Sequence, residues 1–126
     1  MKVIIATVLV LTILIGFGTY SFYYLDRTAD ELLSIADSIE KSVAEKNWDE
    51  ARADFPRFES VWKKNSTKWA ILIDHIELDQ INTSMSKVEK YVDTKDIPGF
   101  MTEMAELKLL LKHVPEKEAL NIKNIL

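Results

Sequence analysis

"VIIATVLVLTILIGFGTYSFYYLDRTADELLSIADSIEKSV", residues 3–43, changes character once, at Leu25-Asp26. Before that point nothing is more polar than Thr, Ser or Tyr; after it, charges recur every few residues. The 23 residues from Val3 to Leu25 make a helix of about 34 Å, enough to cross a hydrocarbon core of about 30 Å. Phe17, Tyr20, Phe22, Tyr23 and Tyr24 cluster at its end, where aromatic rings settle at the headgroup level. Residues 1–25 are therefore expected to be a transmembrane anchor and residues 26–126 a helical domain outside the bilayer. A cleaved signal is the rival, with Met1-Lys2 as a positive start and Gly16 and Gly18 as small residues before a cut. The absence of an A-x-A site and the bulky "YSFYYL" that follows favour retention.

No glycine or proline lies between Gly18 and Pro56, so the membrane helix is expected to continue to about Lys46, a rod of roughly 65 Å. Beyond the membrane it carries Leu25, Ala29, Leu32, Ala36, Ile39 and Val43, alternately four and three residues apart, a narrow stripe that needs a partner surface. A second helix of this chain supplies one candidate partner. A second copy of the chain, giving a homodimer through the same six residues, supplies another.

Charge sets the orientation. Lys2 and the amino terminus precede the span while Asp26, Arg27, Asp30 and Glu31 follow it, so the amino terminus is expected in the cytoplasm and the domain on the extracytoplasmic side of the cell membrane. With so little chain before the span, any signal is expected to pass through a partner in the membrane. All 20 acidic side chains and all but one of the 16 basic ones follow residue 25, so the domain is more negative than the −4 of the whole chain. Nucleic acid is excluded as a natural partner. The chain has no cysteine, hence no disulfide, thiolate metal site or thiol nucleophile.

Asn47, with Glu50 three residues on, reads as a capping box opening a second helix at Trp48. Trp48, Ala51, Phe55, Phe58 and Trp62 line one stripe of it, large and aromatic where the first helix is small and aliphatic, as two interdigitating helices require. These four rings and Trp69, turned to water, would forfeit on the order of 20 kcal/mol, so the rings are read as core. Pro56 falls inside this helix, where a kink is expected. The helix is expected to end near Lys64, with Asn65-Ser66-Thr67 as exit and new cap; one long bent helix through Asn65 is the alternative, since Trp69 keeps the heptad. Trp69, after the break, is the ring expected to be partly exposed.

The third helix is expected over Thr67 to Val92, with Trp69, Leu72, Ile73 and Ile76 on one side and Leu78, Ile81, Met85, Val88 and Val92 drifting round. "DTKD" (Asp93 to Asp96) is a turn, and Pro98 sits in the first turn of a fourth helix, where its missing N–H costs nothing. Phe100, Met104, Leu107, Leu111 and Val114 make that helix's face, and Pro115 is expected to open a last short helix finishing at Ile125 and Leu126. The expected fold is all-α: a transmembrane helix followed by a small antiparallel bundle of about four helices and a short C-terminal one.

"DHIELD" (Asp74 to Asp79) holds the densest set of ligand-type side chains. His75 and Asp79, four apart, share a helical face, but both they and His113 lie opposite the apolar faces of their helices and read as solvated. Zinc needs three or four converging ligands and a di-iron bundle an E-x-x-H on each of two helices; neither pattern occurs. Glu77 falls beside the apolar arc and needs a partner, such as a lysine, Arg52 or Arg57. No phosphate loop, nucleophile elbow or H-E-x-x-H is present, so no catalytic residue is assigned and no cofactor expected.

Trp62-x6-Trp69-x5-His75-x-Glu77-Leu78-Asp79, then "HVPEKE" (His113 to Glu118) and "NIL" (Asn124 to Leu126), resembles domain of unknown function 4363, an uncharacterised family of small membrane-anchored proteins of spore-forming bacteria. The resemblance covers nearly the whole chain. It implies a multi-pass membrane partner, a link with sporulation and no enzymatic activity, and it assigns no functional residue. Together these features lead to a non-enzymatic, single-pass membrane protein whose extracytoplasmic helical domain binds or supports a membrane or envelope partner. Trp69, His75, Glu77 and Asp79 are the candidate contact residues. The alternative is an extracytoplasmic ligand- or metal-binding module using His75, Asp79 and His113.

Overall fold

The computed structural model describes residues 1–125. It contains four α-helices: α1 (Lys2–Ala44), α2 (Trp48–Leu72), α3 (His75–Thr94) and α4 (Ile97–Ile125). Among the described residues there is no strand. α1 packs on α2 and α4, and α3 packs on the same two, so the chain closes an antiparallel four-helix bundle with short connections. The apolar N-terminal part of α1 projects from this bundle and is bare: Met1 to Phe17 are all exposed. It is the one helix among the described residues long and apolar enough to cross a membrane.

The two stripes meet as their sizes require. Leu25, Ala29, Leu32, Ala36, Ile39 and Val43 are all buried, and so are Ala51, Phe55, Phe58 and Trp62 opposite them. The six α1 residues expected to be available for a homodimer are therefore consumed inside one chain. Ile81, Met85, Val88 and Val92 of α3 and Phe100, Met104, Leu107, Leu111 and Val114 of α4 complete the core.

Sequence rules account for the ends of the elements. Asn47 accepts from the Glu50 N–H (3.3 Å) and donates its amide to the Glu50 carboxylate (2.7 Å), the anticipated cap of α2. Both α1 and α3 end in a Schellman pattern: Lys46 N–H donates to Val43 and Asn47 N–H to Ser42, then Lys95 N–H to Val92 and Asp96 N–H to Tyr91. The left-handed residue is Lys46 (φ 59°) in the first and Lys95 (φ 56°) in the second. Asp96 caps α4 through Gly99 N–H (3.0 Å), with Pro98 inside the first turn. Gly99 is required there by packing, since a β-carbon would stand 2.5 Å from the Tyr91 ring.

Three boundaries differ from expectation. α2 does not stop near Lys64 but runs straight through Asn65-Ser66-Thr67 to Leu72, the long-helix alternative. The polar side chains that looked like caps bond back onto their own helix, Asn65 to the Val61 carbonyl (2.8 Å) and Ser66 to that of Lys63 (3.2 Å). The break falls instead at Ile73-Asp74, where both residues are extended and Asp74 caps α3 through Ile76 N–H (3.2 Å). α3 thus begins at His75 rather than Thr67. The short C-terminal helix is fused to α4, which passes through Pro115; Val114 and Pro115 are buried, and this packing holds the helix across the lost hydrogen bond. Its expected end at Leu126 lies outside the described residues.

Because α4 continues, the bundle also reaches further back along α1 than residue 26. Ser21 and Tyr24 are already buried, and Ile122 packs over Gly18, 3.5 Å from where a β-carbon would be.

Candidate functional site

The candidate residues lie on either side of the corner where α2 turns into α3, at the end of the bundle from which the bare part of α1 emerges, but face different neighbours. Trp69 forms its floor. Placed in the last two turns of α2, it is fully buried against α1, not partly exposed, because the helix that carries it never breaks at Asn65. Its indole N–H donates to the Thr28 hydroxyl (2.8 Å), which in turn donates to the Tyr24 carbonyl (3.0 Å). Trp62 lies edge-on to Trp69, ring centres 5.3 Å apart, and donates to Asn82 of α3 (2.7 Å). One flank of α1 joins the same corner: Tyr24 donates to Asn65 (2.6 Å) and the Lys68 ammonium stands 5.2 Å from the centre of the Tyr24 ring.

His75, Glu77 and Asp79 occupy the first turns of α3, and the structure separates their roles. His75 and Asp79 are exposed. Glu77 is half-buried and pairs with Lys117 of α4 (3.1 Å), the lysine partner its position demanded. That contact holds the Lys117 ammonium above the ordinary lysine value, chiefly through the hydrogen bond to Glu77. His113 is exposed on α4. Among the described residues no three His, Cys, Asp or Glu side chains come together around a point that would hold a metal ion. Asp79 borders an open groove of about 320 Å³ between α3 and α4, with Gln80, Lys87 and Glu103 among its lining residues. Ile76 also lines it, and its charged residues are of both signs.

A second polar contact escaped sequence reasoning. Lys108 of α4 reaches across to α1 and meets Asp37 (2.6 Å) and Glu40 (3.2 Å). Its ammonium is held above the ordinary lysine value, first by the hydrogen bond to Asp37, against the opposing effect of burial. The partners are more than sixty residues apart in the chain, and no local pattern joins them.

Two of the three segments that carried the family resemblance meet here. Trp62 packs on Trp69, Glu77 of "HIELD" pairs with Lys117 of "HVPEKE", and Val114 and Pro115 of the same segment are buried. Residues 19–125 match the family model described as Domain of unknown function (DUF4363). The chain belongs to the DUF4363 family. The match begins within α1, ahead of Ser21 and Tyr24, the first side chains that the bundle buries. In this DUF4363 protein the half of α1 that follows the bare apolar part is thus part of the domain. No curated protein and no solved structure matches the chain.

Proposed function

We propose that this DUF4363 protein is a non-enzymatic, single-pass membrane protein whose helical bundle binds or supports a membrane or envelope partner. The observation that carries this is the dual character of α1. Its first part is apolar and bare over Met1 to Phe17, about 25 Å of helix and at the short end of the range for a span, while its second part supplies Leu25, Leu32, Ile35 and Ile39 to the bundle core. A helix so divided is suited to holding a folded module at a fixed place beside the membrane.

The charges flanking the span support an amino terminus in the cytoplasm and an extracytoplasmic bundle. The family resemblance adds a multi-pass membrane partner and sporulation as the setting. No observation favours the metal- or ligand-binding alternative, since His75, Asp79 and His113 are separate exposed side chains.

Cross-linking in intact cells, followed by gentle solubilisation and affinity purification of the full chain, is expected to recover a partner in stoichiometric amount. Protease added to intact cells is expected to digest the bundle. Repeated recovery of the chain alone counts against the partner, and digestion only after lysis counts against the orientation.

A further inference from the structure

We propose that the membrane-proximal end of the bundle is itself a lipid-contact surface, seated in the headgroup layer of the bilayer that α1 crosses. This rests on the membrane anchor proposed above and adds a second, separate contact with the same membrane.

The cross-links between helices fix which residues share a level. Trp69 stands beside Thr28, and Ile71 follows it by two residues, about 3 Å nearer the emerging end of α1. Glu77 stands beside Lys117, which places Ile76 at the level of the α4 turn that leads to Leu120. Ile122 stands beside Gly18, so Leu120 lies within about one turn of Tyr20. Tyr20, Tyr23, Ile71, Ile76 and Leu120 therefore form one band around the end of the bundle, with each of the four helices contributing to it.

All five are exposed. Outside α1, the large apolar side chains left strongly exposed among the described residues are Ile71, Ile76, Leu109 and Leu120, and three of these four are in the band. Chance scatter of surface apolar residues would not gather them at one end, next to the bare span. Tyrosines with apolar bodies and polar tips suit this depth, and aliphatic side chains beside them suit the boundary between headgroups and acyl chains. Lys68 and Lys117 stand at the same level, but so do Asp74 and Asp79. The seat is therefore apolar insertion among zwitterionic headgroups, not attraction to an anionic surface.

The chain has no cysteine, so single nitroxide labels can be placed without removing any residue of that type. Full-length Ile71→Cys, Ile76→Cys and Leu120→Cys are reconstituted in phosphatidylcholine nanodiscs, with Leu9→Cys marking the span and Glu45→Cys the far end. Helicity is checked for each by circular dichroism. The ratio of collision with oxygen to collision with a water-soluble nickel chelate is expected to be clearly higher at residues 71, 76 and 120 than at Glu45 and lower than at Leu9. If residues 71, 76 and 120 behave like Glu45 while Leu9 reports lipid, the seat is overturned and the anchor survives. If Leu9 also reports water, the anchor fails and the seat falls with it. Protection from both colliders, with spin coupling between labels, would show a second copy covering the band and would likewise overturn the proposal.

Discussion

The Trp69 indole N–H donates to Thr28 across the α1–α2 interface at 2.8 Å, and neither side chain reaches water. The Thr28 hydroxyl in turn donates to the Tyr24 carbonyl, so donor and acceptor are both satisfied in the core. Replacing the hydroxyl by a methyl in Thr28→Val leaves a buried N–H without a partner and is expected to cost about 1–3 kcal/mol. Trp69→Phe removes that donor but also leaves a void, at a cost of about 2–4 kcal/mol. In a double-mutant cycle followed by urea unfolding, the pair is expected to cost less than the sum of the two singles.

Ala36 is fully buried at the small side of the α1–α2 contact. Ala36→Leu is expected to destabilise the bundle by about 1–3 kcal/mol through overpacking, measured by the same unfolding assay. Were the stripe a dimer surface instead, the added methylenes would leave monomer stability nearly unchanged and alter sedimentation.

Lys108 bridges α4 to Asp37 and Glu40, and its raised pKa means that the folded state binds the proton more tightly than the unfolded chain. The stabilisation is therefore fully present below the ordinary lysine value and is lost as pH rises through the higher folded one. With Asp37 largely exposed, Lys108→Met is expected to cost only about 0.5–1 kcal/mol. The difference from wild type should shrink in high salt and in strongly alkaline buffer.

Glu89 titrates above the ordinary glutamate value, first through desolvation and then through repulsion by Glu59 and Asp93. Its charge therefore opposes folding, an effect absent below the unfolded pKa and complete above the folded one. Glu89→Gln is expected to raise stability at neutral pH by a few tenths of a kcal/mol, about 0.3–0.5, and to leave it unchanged near pH 3.

Lys46 and Lys95 occupy left-handed positions that suit glycine. Lys46→Gly and Lys95→Gly are each expected to stabilise by up to about 1 kcal/mol, seen as a higher urea midpoint with an unchanged slope.

Local and periodic features of the fold were legible in the sequence. The continuous α1, the Asn47 cap, Pro98 in a first turn and the aromatic stripe all follow from spacing and end chemistry within a few residues. The α2–α3 boundary was not, because Asn65, Ser66 and Thr67 have the same side-chain chemistry whether they cap a new helix or bond back onto an old one. Burial of Trp69 decides between the two, and burial is a tertiary fact. For the same reason Glu77 announced that it needed a partner without naming Lys117 among the lysines, and Lys108 gave no sign of its role. The exposed Ile71, Ile76 and Leu120 are ordinary members of apolar patterns until the helices are set side by side.

Since α1 runs without interruption from Lys2 to Ala44, its bare apolar part and the bundle share one stiff axis. The roughly 20 residues beyond Leu25 form a lever arm of about 30 Å, so a change of about 20° in the tilt of the bare part would sweep the far end of the bundle through about 10 Å. Whatever leans on the bare part of the helix is felt directly at Glu45 and Asn47.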